Sequence, residues 1–229
     1  HVLVDLSRTS DHSFGHQISQ QLIDVVTRVE GVRAYAVQLM VPLLMDGKLL
    51  ADRLSTRGSS NVEVLFATAW IIGEYAPLLM PPPSNNEGHN AEEELAELDQ
   101  VEGEQLAAER NVNAALHQEI AMAMLQSRHL SLPMLVQCAF VHNALKVVLA
   151  GLKVSQRMDD KTLVGQEAVA FAEKMANDVV EALEVFTESK HVEVQERAVL
   201  AKTMLSQCRL CRKTFQKQQQ QQYQSSNQT

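Results

Sequence analysis

Apolar residues recur at helical spacing along most of the chain. Ile18, Leu22, Val25, Val26 and Val29 follow at steps of mostly three or four, with Gln and Asp between them, which predicts an amphipathic helix from about His16 to Val29. Gly31 breaks that pattern, and a second apolar run through Ala34, Val37, Met40, Val41 and Leu44 predicts a helical hairpin over a very short turn. Pro42 is expected to kink the second helix or mark an early end. Asn61 is a candidate N-cap for a run through Val62, Leu65, Phe66, Ala69, Trp70 and Ile72 that closes near Gly73. That run is apolar nearly all round, so its helix should be central and covered on several sides.

Later segments repeat the theme. A long helix is expected from near Glu104 through Leu116, Ile120, Met124 and Leu125. Ser131 and Pro133 would cap and start the next, which carries Leu135, Val136, Ala139, Phe140, Ala144, Val147 and Val148 and would close at Gly151. A last hairpin is predicted from about Thr162 to Phe186 (apolar at Ala168, Ala172, Met175, Val179, Leu183 and Phe186) and from Val192 to about Phe215, with Thr187 to His191 as its turn. Antiparallel pairs with short internal turns bury little alone but much when stacked, which predicts an all-α fold, an α-solenoid of HEAT or armadillo type. A compact helical bundle is the structural competitor. The expected division is 1–80 for the first helix pairs, 81–103 for an acidic linker or insertion led by Pro81 to Pro83, 104–216 for the remaining pairs, and 217–229 for a disordered Gln-rich tail.

Composition agrees with helices. In 229 residues, 45% are hydrophobic, yet there are only one Trp, three Tyr and six Phe, a balance suited to aliphatic helix packing. The longest nearly apolar stretch in this reading, Val64 to Ile72, is about half a bilayer span, so no transmembrane helix is expected. The chain opens on His1 without a charged-then-apolar leader, so a fragment of a longer protein, not a secreted one, is the expectation. Three cysteines do not make a disulfide framework and suit a reducing compartment.

The net charge of −8 is local in origin. Nine acids and no Lys or Arg lie between Glu87 and Glu109, so the remainder sums to +1. After Glu196 no acid follows, while Arg197, Lys202, Arg209, Arg212, Lys213 and Lys217 give the end a charge of +6. A solvated linker and a helix end favoured by its own dipole are the plain readings of the two tracts; without interleaved aromatics and with a pI near 5.5, nucleic-acid binding is not indicated, and contact of the basic end with an anionic membrane is the better of those two partner readings.

Chemistry-bearing spacings are sparse. Cys208-Arg-Leu-Cys211 has the spacing of half a zinc site, but Cys138 and His191 do not complete one, and it lacks a redox strand–turn–helix setting. His12 and His16 stand four apart without a zincin glutamate, and His117 with Glu119 and His142 with Asn143 are equally unspecific. There is no nucleophile elbow, phosphate loop or dinucleotide glycine cluster, so no catalytic, cofactor-binding or metal residue is assigned and no enzyme is expected.

Three ordered segments carry a resemblance: Val25 to Val37 (VVTRVEGVRAYAV), Glu63 to Ala76 (EVLFATAWIIGEYA) and Val192 to Ala198 (VEVQERA). Together they resemble the large-subunit trunk of the adaptins, with Trp70, Gly73, Glu74 and Tyr75 matching a W-x-x-G-E-[FY] signature. Order and spacing are most similar to the delta class. Read physically, Trp70 offers a large area to bury, Gly73 permits close helix approach, Glu74 can accept hydrogen bonds from an adjacent turn, and Glu193 and Arg197 can pair along one helix, with Gln195 between them. The resemblance covers roughly Gly15 to Lys213 and departs from the family between Pro81 and Arg110. It implies the C-terminal part of a trunk, with further trunk helices before it and a hinge and ear after it. It further implies a non-enzymatic scaffold without cofactors, in a heterotetramer with a second large, a medium and a small chain. Cargo and an Arf-type small GTPase would meet the intact complex, peripheral on Golgi or endosomal membranes and coated vesicles, in transport toward lysosome or vacuole. A solenoid transport receptor or general interaction scaffold is the rival reading.

Overall fold

The computed structural model describes residues 15–45, 60–79, 113–155 and 163–208. The acidic tract, the Pro81 to Pro83 stretch, the start of the helix expected from Glu104, His12, Cys211 and the Gln-rich tail lie outside them. All described elements are helical: α1 (Gly15–Arg28), α2 (Arg33–Met45), α3 (Ser60–Glu74), α4 (113–124), α5 (Met134–Ser155), α6 (Leu163–Thr187) and α7 (192–208), with 3-10 turns at Glu30–Val32, Ala76–Leu78 and Ser127–Ser131.

The first hairpin closes as the spacing requires. Ile18, Leu22 and Val26 are buried on one face of α1, and the turn at Glu30–Val32 delivers Arg33, whose guanidinium donates to the Val26 and Thr27 carbonyls at 3.3 and 2.9 Å. These carbonyls belong to the unsatisfied end of α1, so the side chain opening α2 caps the helix before it. Pro42 neither ends nor breaks α2, which runs on to Met45. Pro42 is exposed, as is Gln38, whose carbonyl lacks its usual donor because of the proline.

α3 is central. Val64, Leu65, Ala67, Thr68, Ala69, Ile71 and Ile72 are all at or below 1% exposed, and the helix packs on α1, α2 and α5. The Thr68 hydroxyl is satisfied inside this shell by the Val64 carbonyl at 2.8 Å. The side chain of Asn61, the expected N-cap, lies outside the described residues.

α5 is the second central element and packs on α3 and α6. By length and composition its span from Met134 to Lys153 could cross a membrane, a stretch longer than the Val64 to Ile72 run, but most of it is buried among the other helices and it serves as a core helix. Its start and end also differ from expectation. The Ser131 hydroxyl donates to the Arg128 carbonyl at 2.8 Å and caps nothing in α5; instead the Gln137 amide reaches back to the Leu130 and Leu132 carbonyls at 3.0 and 2.6 Å. Gly151 does not close the helix, which continues to Ser155; a Cβ there would stand 2.8 Å from the Cβ of His117 on α4. Glycine is therefore required for the approach of α4 to α5.

The last hairpin follows its periodicity: Ala172, Met175, Val179, Leu183 and Phe186 of α6 and Val194, Ala198, Ala201 and Leu205 of α7 are buried. Alternate helices stack, α1 on α3 and α3 on α5, and Gln118 of α4 donates to Asp178 of α6 at 2.7 Å. α1 reaches α5 and α6 at most at isolated points, unlike the first helix of a compact bundle. The fold is an α-solenoid of antiparallel helix pairs whose core runs continuously from Ile18 to Leu205.

Gly151→Val tests the α4–α5 approach. Overpacking of this kind costs about 1–3 kcal/mol, so the denaturant midpoint should fall; a midpoint shifted by less than about 0.5 kcal/mol equivalent, ordinary for surface positions, would contradict the contact.

Candidate functional site

The residues singled out in the sequence occupy the joints between successive helix pairs. At the first joint, the turn after α3 swings Tyr75 under the end of α1. Its hydroxyl donates to the Val26 carbonyl at 3.5 Å, the Arg33 guanidinium lies 5.2 Å from its ring centroid, and Trp70 meets it edge to face at 6.3 Å. Trp70, expected to bury a large area, is half-buried and packed against the core. It therefore works as a cover over the joint, with one edge left to solvent.

Gly73 marks the second joint. A Cβ on it would lie 2.3 Å from Oδ1 and 2.5 Å from Cβ of Asn143 on α5, closer than atoms can stand. Asn143 is buried, its amide bonded to the Ala139 carbonyl at 2.8 Å and its Oδ1 without a hydrogen-bond donor. Glu74 does not accept from a neighbouring turn: it pairs with Lys146 of α5 at 2.5 Å. Glu74 is exposed and Lys146 half-buried, so solvent keeps the contribution of this pair to stability small. Beside it, Ala76 offers its carbonyl to Nε2 of buried His117 at 3.1 Å, and Nδ1 of the same ring lies 2.7 Å from the Asn113 carbonyl.

The third joint is polar and buried. Ser189, in the α6–α7 turn, donates to the Gln137 side-chain oxygen at 3.1 Å, and Gln195 donates to the Ser189 carbonyl at 2.6 Å. Gln137 thus ties the turn before α5 to the turn before α7. On the adjacent surface Arg197 grips Glu193 through two bonds of 3.0 and 2.6 Å, which raises the guanidinium pKa further. Cys138 faces that pair, and burial holds its thiol above the ordinary range. Burial, then the charges of Lys146 and Arg197, holds His142 below the usual imidazole range.

None of this forms a reaction centre. Glu119 is exposed while His117 is interior, so they do not act together. His16 bonds Gln20 and faces Glu63 at 3.7 Å on the surface, Cys208 is exposed, and His191 belongs to the last turn, where its backbone N–H meets Ser189. Among the described residues no three His, Cys, Asp or Glu side chains are grouped to hold a metal.

His129 was not singled out by spacing. Its ring is fully buried, edge-on to Phe140 at 4.8 Å between centroids, with Nδ1 donating to the Met124 carbonyl at 2.7 Å and Nε2 without a partner. Its position in a 3-10 turn, two residues after an exposed serine, gave no sign of burial.

The family model described as Adaptin N terminal region matches residues 1–209. The chain belongs to the adaptins. This adaptin segment is 29% identical over 197 residues to AP-3 complex subunit delta-1 of Bos taurus, a match covering 86% of the segment and 13% of that protein. It is 31% identical over 219 residues to AP-3 complex subunit delta of Dictyostelium discoideum, covering 90% and 16%. The adaptin segment thus spans less than a fifth of the curated relatives it matches.

Burial holds the His129 pKa low against the opposing Met124 bond, and Arg128 lowers it further. Its unfolded form takes up a proton first as pH falls below about 6.5, so stability is full above that pH and is lost on acidification toward the folded-state pKa. Thermal melts should show a lower midpoint at pH 5.5 than at 7.5, with part of the difference removed in His129→Gln. An equal pH response in variant and parent would contradict this burial.

Proposed function

We propose that this adaptin segment is a scaffold from the C-terminal part of the trunk of a delta-type large subunit, without catalytic activity or cofactor. The observation that carries the reading is the stack of helix pairs whose joints are built from Trp70, Gly73, Glu74, Tyr75, Glu193, Gln195 and Arg197, in a chain whose relatives are delta subunits of an AP-3 complex. A solenoid presents a long curved surface on which recognition is spread over many side chains. Residues 1–80 and 104–216 supply the helix pairs, 81–103 an acidic linker or insertion between them, and 217–229 a Gln-rich tail.

The intact subunit assembles with a second large, a medium and a small chain, and is recruited with an Arf-type GTPase to Golgi or endosomal membranes to carry cargo toward lysosome or vacuole. The relatives' names support membership of an adaptor complex; the route and the GTPase extend that reading.

Affinity purification of the full-length protein from its own cells tests it. Equal amounts of one further large, one medium and one small adaptor chain are expected. Recovery of a nucleotide-bound GTPase with diverse cargo and none of those chains would replace the coat with a transport receptor.

A further inference from the structure

The turn at Ser127–Ser131 joins α4 to α5 and packs against α6. Ser127, Arg128 and Ser131 are exposed, yet the ring of His129 between them is fully buried. The Met124 carbonyl can only accept, so the 2.7 Å bond to it places the ring proton on Nδ1 and leaves Nε2 a bare acceptor with no partner. Backbone bonds close the turn around the ring: the His129 N–H donates to Gln126 at 2.9 Å and the Leu132 N–H to the His129 carbonyl at 3.0 Å.

The residues beside His129 tie this turn to a second one. The carbonyls of Leu130 and Leu132 accept from the Gln137 amide at 3.0 and 2.6 Å, and the oxygen of the same side chain accepts from Ser189 at 3.1 Å. Gln137 is therefore satisfied at both ends only while the turn before α5 and the turn before α7 both keep their places.

A proton on Nε2 would create a buried cation and a donor with nothing to accept it. Burial and the neighbouring Arg128 oppose that charge, and the Met124 carbonyl alone favours it. α5 covers the ring with Phe140. Beyond Gln137, the α6–α7 turn carries exposed Glu188 and Lys190 and half-buried His191, while Glu184 of α6 is bound to Lys202. Water is the acceptor available to the charged ring. Reaching it breaks the Met124 bond and displaces Leu130 and Leu132, whose carbonyls hold Gln137.

We propose that His129 is an acid-released catch shared by two joints: its protonation opens the turn before α5 and, through Gln137, frees the turn before α7 while α1 to α3 stay packed. Acid thereby loosens the last helix pair against the rest of the solenoid.

Amide hydrogen exchange of the 229-residue chain, read as protection factors at pH 7.5, 6.5 and 5.5, tests it. Protection at 127–132 and 188–191 should fall together below about pH 6.5, by up to about tenfold per pH unit, the limit for uptake of one proton, with α3 unchanged. His129→Gln should abolish the response in both turns. Ser189→Ala should keep it at 127–132 and remove it at 188–191, and His191→Gln should leave both. A fall confined to 127–132 in the parent, an equal fall across α3, a response that survives His129→Gln or one lost in His191→Gln would each overturn the catch. Where His129→Gln does not fold, the imidazole nitrogen shifts of the parent decide: loss of protection should track the gain of a proton on Nε2, and a ring protonated while both turns stay protected would overturn it.

Discussion

Two helices, α3 and α5, stand so close at Gly73 and Asn143 that one additional methyl group would collide with the amide of the other. Everything beyond α3 in the stack hangs on that approach. α1 and α2 pack on one side of α3, α6 packs on α5, and the two central helices are apolar over most of their surface because each is covered on several sides. Glycine weakens a helix by about 0.5–1 kcal/mol relative to alanine; here burial along α3 and α5 offsets that loss.

The joints divide the labour between apolar and polar groups. Aliphatic side chains supply the burial, while a few polar side chains, buried (Gln137, Ser189) or half-buried (Arg33, Gln195), hold the backbone of the turns: Arg33 on the end of α1, Gln137 on the turn before α5, Ser189 and Gln195 between α6 and α7. Buried groups of this kind are expensive to leave unpaired, so each fixes one register of one joint. Together these bonds give each joint a single packing arrangement.

Helical periodicity made the elements legible in the sequence. The steps from Ala172 to Phe186, the hydrophobic shell of α3 and the short turns at Gly31 and Thr187 to His191 all reflect local chemistry that 3.6-residue spacing reports. Features decided by distant partners were not legible. Glu74 lies beside Lys146, 72 positions away, and no local pattern pointed there. Gly151 reads as a helix stop but is a packing glycine, since the side chain it makes room for, His117, belongs to another helix. Ser131 resembles a cap because serine and proline precede a helix, yet the Gln137 side chain, seven residues beyond Leu130, takes the carbonyls of that turn. The size of Trp70 pointed to a large buried area, and its place at the rim of a joint leaves it half-buried.

A double-mutant cycle at Gly73 and Asn143 addresses the central contact most directly. Gly73→Ala should lower stability by about 1–3 kcal/mol through overpacking, despite the helix propensity it gains, and Asn143→Ala in the same chain should restore a large part of the loss beyond additivity. A gain of about 0.5–1 kcal/mol from Gly73→Ala alone, the response of an unobstructed helical glycine, would show that α3 and α5 do not meet as closely as the fold requires.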